Sequence, residues 1–334
     1  MKEKYNVNET PFLDSSLFTA LPAGDNAEIL FFEYRKLVLL NMLGYLKSIQ
    51  NALDIDISFI INKYEILDPR KKFSPALFEL FSKLPIVAKQ GAVPAIIDVL
   101  HRLNCLTEHD IFDAQCRVST ILTENWETEF VYKLRNEDIP SKSGSKILIL
   151  PILTPNISTY SEMLSDLKDE IAAVDSGFNS EISAFVTRLK MFNGRALKAS
   201  TSASVFGAIY LNTPPQDENA QAYFADHIIH ETSHLCLDIL LAFDRLILND
   251  ESEKFEAPIR IDPRPMFGIF HATFVLSRMI RLFQKIANNR TEYLDRLELF
   301  KAQFDKGIDT IEKHARLTEN GERVKDSFAK VIKA

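Results

Sequence analysis

The chain is poor in the residues that cross-link or punctuate a fold, with 3 cysteines, 10 glycines and 14 prolines among 334 residues. Cys105, Cys116 and Cys236 form no CxxC pair and no even set, which argues against a disulfide framework and favours a reducing, cytoplasmic location. The shortage of glycine and proline argues against a fold built from tight hairpins. The sequence contains neither an internal repeat nor a low-complexity tract.

Positive charge is also scarce, since 39 basic residues face 46 acidic ones and the formal net charge is −7. Because no basic run is present, we expect no binding to nucleic acid or to an anionic membrane. The sequence starts without a secretory signal. Its most apolar stretch, "ILFFEYRKLVLLNMLGYL", is interrupted by Glu33, Arg35 and Lys36 and is too short and too charged to span a bilayer.

Apolar residues at helical spacing run through most of the chain and predict a mainly α fold with a small β-sheet. The runs "WETEFVYKL", "ILILPIL" and "SASVFGAIYLN" predict the strands of that sheet. The polar segment 135–146 indicates a boundary between a helical N-terminal region, 1–140, and a metal-binding catalytic domain, 141–334. The N-terminal region would serve as scaffold or as a docking surface for a peptide. Asp217 or Asn219 is expected to cap the helix that follows.

Three histidines lie close together on that helix, in "HIIHETSHLCLD", residues 227–238. His230 and His234 are stacked one turn apart with Glu231 on the same side, which is the HExxH pattern of helix-borne metal sites. A strand-like run and a loop precede the helix, as in a zincin-like core. Because the helix is strongly apolar, its polar cluster would be buried and would need partners. The alternative is a solvated or hydrogen-bonded histidine patch.

The neighbours of the motif receive less specific predictions. His227 shares the histidine face, and a supporting or surface role is favoured over direct ligation. Asp238 lies one turn past His234 and either accepts the spare N–H of that ring or is an ordinary exposed aspartate. Cys236 points away from the histidine face and is predicted to lie in the core.

Two histidines hold a metal ion weakly, so a third ligand is expected. Leu237 and Leu240 stand where a metzincin has glycine and histidine, which excludes that class. A thermolysin-like site would take a glutamate about 20 residues downstream. Glu251, Glu253 and Glu256 lie near that spacing in an acidic loop, where the alternative reading is simple solvation.

His271, within the apolar helix "MFGIFHATFVL", is the preferred third ligand. A single histidine on an apolar face is more often a core residue, but here the pair His230 and His234 lacks a partner. Arg278 lies two turns after His271 on the same face, and Arg264 precedes it by the same number of residues. Such an arginine would bind an anion at the metal, most simply the carboxylate of an organic acid. A surface position or an internal ion pair is the alternative.

The segments "HETSHLCLD" and "RPMFGIFHATFVLSR" together resemble the HExxH-type peptide-modifying proteins found beside genes for ribosomally made peptide natural products. Members of that family are regarded as iron- and 2-oxoglutarate-dependent peptide β-hydroxylases. The resemblance covers about residues 200–285. It implies a zincin-like scaffold on which Fe(II) is held by three histidines, His230, His234 and His271. It also implies that Arg278 or Arg264 binds the distal carboxylate of 2-oxoglutarate.

The resemblance therefore predicts a dioxygenase that hydroxylates a β-carbon of a precursor peptide recognised with its leader. Glu231 would be a ligand or a residue that orients water or substrate. The competing hypothesis is a zinc-dependent metallopeptidase in which Glu231 is the general base and the strand "SVFGAIYLN" pairs with an extended substrate. A non-catalytic helical binding protein is disfavoured because the HExxH motif is intact. An arginine facing the metal would separate the first two hypotheses, because only the keto acid requires one.

Overall fold

The chain folds into twelve α-helices within the part described by this computed structural model, which is residues 10–113, 115–136, 148–287 and 290–333. The helices are α1 (Ala27–Leu53), α2 (Ser58–Glu65), α3 (Pro75–Gln90), α4 (Val93–Cys105), α5 (Glu108–Ile111), α6 (Glu127–Asn136), α7 (Thr154–Val174), α8 (Ser176–Phe185), α9 (Ala220–Phe243), α10 (Met266–Ile286), α11 (Thr291–His314) and α12 (Glu319–Lys333). Together with a small mixed sheet they confirm the predicted mainly α fold class.

Five short strands form one sheet: β1 (Arg117–Thr120), β2 (Leu148–Pro151), β3 (Arg188–Arg195), β4 (Ala199–Ser200) and β5 (Ala208–Asn212). The central strand β3 pairs in parallel with β1 and β5, and β2 runs antiparallel to its second half. The short strand β4 pairs antiparallel with β5 and ends the strand order. This end of the sheet lies against α9, the helix that carries the histidine motif.

The strands β3 and β5 are covered on both faces, which explains their nearly continuous burial. All five residues of β5 are buried, as are the first five of β3. One face packs on the main core, which α9 and α10 share. The other face is covered by α6, whose Phe130, Val131 and Leu134 join a smaller apolar cluster with Tyr210 of β5.

The strand prediction is correct for β2 and for the second half of "SASVFGAIYLN", and it is wrong for "WETEFVYKL". That segment is α6, because Phe130, Val131 and Leu134 repeat at helical spacing and Glu127 accepts the N–H groups of Thr123 and Glu124 at 2.7 and 2.9 Å. Strand β3 is not among the runs from which the sequence predicts strands. This strand hides Lys190, which is fully buried against Glu124 at 2.6 Å and Glu127 at 3.1 Å.

The predicted boundary segment falls largely on residues 137–147, which lie outside the described residues. The two predicted regions contribute strands to the same sheet, because β1 from the first region pairs with β3 from the second. The main core likewise contains side chains from α1 and α3 together with those of α9 and α10. The helices of the first region thus contribute to the scaffold of the histidine helix.

Among the residues that the structure describes, one helix, α10, is long and apolar enough to cross a membrane by length and composition alone. Most of its apolar window, 72%, is buried inside the protein, as is usual for the central helix of a core. Packing against α9, α11 and α12 explains the apolar character of α10.

We predict that Asn219→Ala destabilises the fold by about 1 kcal/mol, because the Asn219 side chain accepts the N–H of Ala222 at 2.9 Å and caps α9. Urea denaturation would measure the loss. Asn219→Asp should retain most of the stability, and Asp217→Ala, at the other predicted cap, should change it by less than about 0.5 kcal/mol. Equal losses in the Asn219→Ala and Asp217→Ala variants would contradict this assignment.

Candidate metal centre

The histidines of two packed helices meet at the wall of one cavity. His230 and His234 project from α9, and their ring centroids are 4.6 Å apart. His271 projects from α10, with its ring centroid 4.5 Å from that of His234. His234 Nδ1 and His271 Nε2 are in direct contact at 2.5 Å. The structure therefore brings the three histidines of the predicted ligand set together.

Among the described residues, the two histidines of α9 form a compact group of possible ligands with Glu231, and His271 is not part of that group. Within the described residues, His230, Glu231 and His234 form a group whose donor atoms all lie within 4.8 Å of one another. Nitrogens bound to a common ion at about 2.1 Å would be roughly 3 Å apart. The contact between His234 and His271 would therefore need to open by about half an ångström to admit an ion.

The three rings are chemically suited to hold a divalent ion. Burial disfavours the imidazolium form, lowering the pKa of His230 and of His271 to about 4 and that of His234 well below its usual value. All three rings are thus neutral at physiological pH, and a neutral imidazole is the form that coordinates metals. Across the described part of the chain, His230 has no hydrogen-bond partner that would compete with an ion.

Glu231 is buried, with only 5% of its surface exposed, at the wall of the same cavity. Burial raises the pKa of this carboxyl to about 8, and a hydrogen bond from the Thr201 backbone N–H opposes the rise. The charges of Asp226 and Asp238 raise the pKa further. A cation beside Glu231 would favour the carboxylate, so this side chain can either ligate an ion or exchange a proton next to it.

The cavity measures about 500 Å³ and has a polar wall in addition to the histidines. That wall is the segment 199–203, which contains β4 and the hydroxyl groups of Ser200, Thr201 and Ser202. Asp238 also lines the cavity, and burial raises the pKa of its carboxyl to about 7. Among the described residues, Asp238 makes no hydrogen bond to His234, so the predicted partnership between them is not observed.

The remaining residues of the motif behave as packing groups. His227 is buried, stacks on Tyr223 at 4.2 Å between ring centroids, and contacts the Tyr223 carbonyl through Nδ1 at 2.7 Å. It lines a second cavity together with His230, in agreement with a supporting position. Cys236 is buried in the core, as predicted.

The acidic loop supplies no ligand to this cavity. Glu253 forms a surface ion pair with Arg316 at 2.5 Å, and Glu256 pairs with Lys306 at 2.7 Å. Of the described residues that line the cavity, none is Glu251, Glu253 or Glu256. A thermolysin-like third ligand from this loop is therefore not supported.

The structure places Arg278 away from the cavity, in a fully buried ion pair with Glu181. The guanidinium also donates to the Ser233 hydroxyl at 2.9 Å and to the Ala20 carbonyl at 3.0 Å. These bonds engage Nε and both terminal nitrogens, so the predicted role of Arg278 in binding 2-oxoglutarate does not fit. The residue instead fastens α10 to α8, to α9 and to the segment before α1.

Arg264 also lies outside both cavities that reach the histidines. Its guanidinium pairs with Asp262 at 2.7 Å and is 37% exposed, in the loop that leads into α10. Its backbone forms an isolated bridge with Phe255. The predicted role of Arg264 in binding an organic acid is therefore not supported either. Helical spacing placed both arginines relative to His271 but could not show which neighbour each guanidinium meets.

Sequence reasoning missed the polar wall 199–203 and a second cavity beside His230. The run "KASTSAS" offered a signal for the wall, since small hydroxyl residues immediately before a strand suit a ligand-facing edge. No known family model and no curated protein matches this chain. Its activity must therefore be inferred from the chemistry of the site and from the resemblance of its two motifs.

We predict that Arg278→Met destabilises the fold by about 3–5 kcal/mol, because it leaves the Glu181 carboxylate buried without its partner. The double variant with Glu181→Gln should recover much of that loss, because the glutamine still accepts the Ala23 N–H. Urea denaturation measures both. Arg281→Met is the control, since Lys285 continues to pair with Asp175. A loss below 1 kcal/mol for Arg278→Met would contradict the structural role.

We predict that His271→Ala lowers the affinity for a divalent ion at least about 100-fold, because changes around a metal ligand alone cost about 10–100-fold. His227→Gln should lower it by less than about tenfold. Because the pKa values of His230 and His271 are about 4, binding should persist down to about pH 5. Titration with Co(II), followed by its visible spectrum, measures all three. Equal effects of the two substitutions would contradict the ligand set.

Proposed function

We propose that this protein is an Fe(II)- and 2-oxoglutarate-dependent oxygenase that hydroxylates a β-carbon in a ribosomally made peptide. The observation that carries the proposal is the contact of His271 with His234, at 2.5 Å, beside His230. This contact supports a metal centre with three neutral nitrogen donors on one side and a cavity on the other. The bound iron and 2-oxoglutarate would supply the oxidising chemistry.

The neutral donor set favours a co-substrate that carries negative charge. Three uncharged imidazoles do not neutralise the 2+ charge of the ion. A chelating keto acid is negatively charged and is therefore attracted to such a centre. Open positions are also required for this chemistry, and the 500 Å³ cavity provides the space for them. Neither Arg278 nor Arg264 lines the cavity. The positive charge that binds the distal carboxylate of the keto acid must therefore come from another described residue.

The peptide is proposed to lie along the polar wall of the cavity. The strand β4 ends the sheet, and residues 199–203 line the same cavity as the histidines. An extended peptide can add to such an edge through backbone hydrogen bonds, while hydroxyl groups of Ser200 and Ser202 orient it. Glu231, which lines the same cavity, would fix the position of water or substrate beside the centre.

A zinc-dependent metallopeptidase is the second candidate, and the position of Glu231 favours it. This carboxyl lines the cavity between the two motif histidines and can exchange a proton, as a general base must. The same edge at β4 would hold the extended substrate. The oxygenase is preferred because the resemblance of the two motifs adds to the neutral donor set.

We predict that anaerobic addition of Fe(II) and 2-oxoglutarate produces a weak visible absorption band, because the keto acid chelates the iron. Co-expression with a peptide encoded nearby should add one oxygen atom to that peptide, detected by mass spectrometry. Glu231→Gln separates the candidates, since it should lower peptide cleavage by at least about 100-fold in a peptidase. No band with iron, together with a shortened peptide in the presence of zinc, would establish the peptidase instead.

A further inference from the structure

A second cavity is also lined by His230 and so reaches the candidate metal centre. It measures about 310 Å³ and shares His230, Glu231 and Ala199 with the cavity described above. Two cavities that meet at one set of ligands allow two different molecules to approach the same ion. An oxygenase of the proposed kind needs this arrangement, because its co-substrate and its peptide must be bound together.

The walls of the second cavity are largely apolar, and its polar groups are few. The apolar side chains come from the loop before α10, from α10 and from α11, and they are Ile259, Leu276, Met279, Leu299 and Phe300. Besides His230, Glu231 and Asp226, the polar residues that line this cavity are Lys198, His227 and Gln303. A short apolar passage with an ion at one end and polar groups elsewhere suits a molecule whose middle is made of methylene groups.

Lys198 is the only lysine or arginine among the described residues that line either cavity. Its side chain is 62% exposed, and Nζ lies 3.8 Å from Glu218, which is a long ion pair. Glu218 is also bound by Arg296 at 2.5 Å, and so it does not depend on Lys198 for its charge. The lysine can therefore turn towards an anion in the cavity at little cost.

The other polar groups of this cavity are compatible with a carboxylate near Lys198. Asp226 is held in an ion pair with Arg296, which offsets its negative charge. His227 contacts the Tyr223 carbonyl through Nδ1, which leaves Nε2 for a ligand. Gln303 also lines this cavity and offers an amide. Lys198 is thus placed to supply the cation that Arg278 and Arg264 do not.

We propose that the second cavity binds a short dicarboxylic keto acid, with its keto acid end at the His230 side and its distal carboxylate paired with Lys198. This inference rests on the proposed function and names 2-oxoglutarate as the ligand of this cavity. Residues 200–203, which line only the first cavity, are then left free for the peptide. Lys198 acts as a binding and specificity residue, because it distinguishes acids that carry a distal carboxylate from those that do not.

The test compares two keto acids on the Fe(II)-loaded protein without oxygen, using the visible absorption band as a measure of binding. 2-Oxoglutarate carries the distal carboxylate, and 2-oxopentanoate lacks it. Lys198→Met should weaken 2-oxoglutarate roughly tenfold, the range of a charge-assisted bond at a partly exposed site. The same substitution should leave 2-oxopentanoate unchanged. Lys198→Arg should retain most of the affinity for 2-oxoglutarate.

The matched control is Lys313→Met, because Lys313 is 67% exposed and also forms a 3.8 Å ion pair, with Asp309, but lines neither cavity. It should change neither affinity. If Lys198→Met weakens both acids equally, or neither, the assignment of Lys198 is overturned while the oxygenase stands. If the wild-type protein gives no band with either acid, the proposed function and this inference are both overturned.

Discussion

The packing of α10 against α9 is the constraint on which the candidate site depends, because the ligands come from both helices. His230 and His234 are one turn apart on α9 and need no tertiary structure to approach one another. His271 reaches them only if α10 lies in one register along α9. The bond from Arg278 to Ser233 joins α10 to α9, and the buried pair of Arg278 with Glu181 fixes α10 to α8. Arg278, which the sequence predicts to bind an anion, thus connects α9 and α10 instead.

Burial then sets the chemistry of the side chains that this packing assembles. The same loss of solvation keeps the three imidazoles neutral and raises the pKa of Glu231 to about 8. Such a cluster has donors without positive charge and an acid whose proton is released when a cation arrives. Two cavities open onto it, one with a hydroxyl-rich wall and one with apolar walls. This arrangement suits the proposed role, in which an ion would lie between two differently shaped ligands.

The helices of the site could be predicted from the sequence because their signals are local. The spacing of apolar residues and the cap at Asn219 predict α9. The HExxH motif is recognised from two histidines four residues apart on that helix. The strand β3 could not be read in this way, since Lys190 resembles a surface residue until Glu124 and Glu127 are brought to it. The direction of Arg278 was missed for the same reason. The spacing of residues along a helix predicts the face from which a side chain projects. It does not predict which residue of another element will pair with that side chain.

The most direct test of the central claim is X-ray absorption spectroscopy of the protein loaded with Fe(II), which counts the imidazole rings around the ion. Convergence of α9 and α10 predicts three imidazoles in the wild-type protein and two in the His271→Ala variant. Two imidazoles in the wild type, unchanged by His271→Ala, would show that the ring on α10 is a packing residue and would contradict the account.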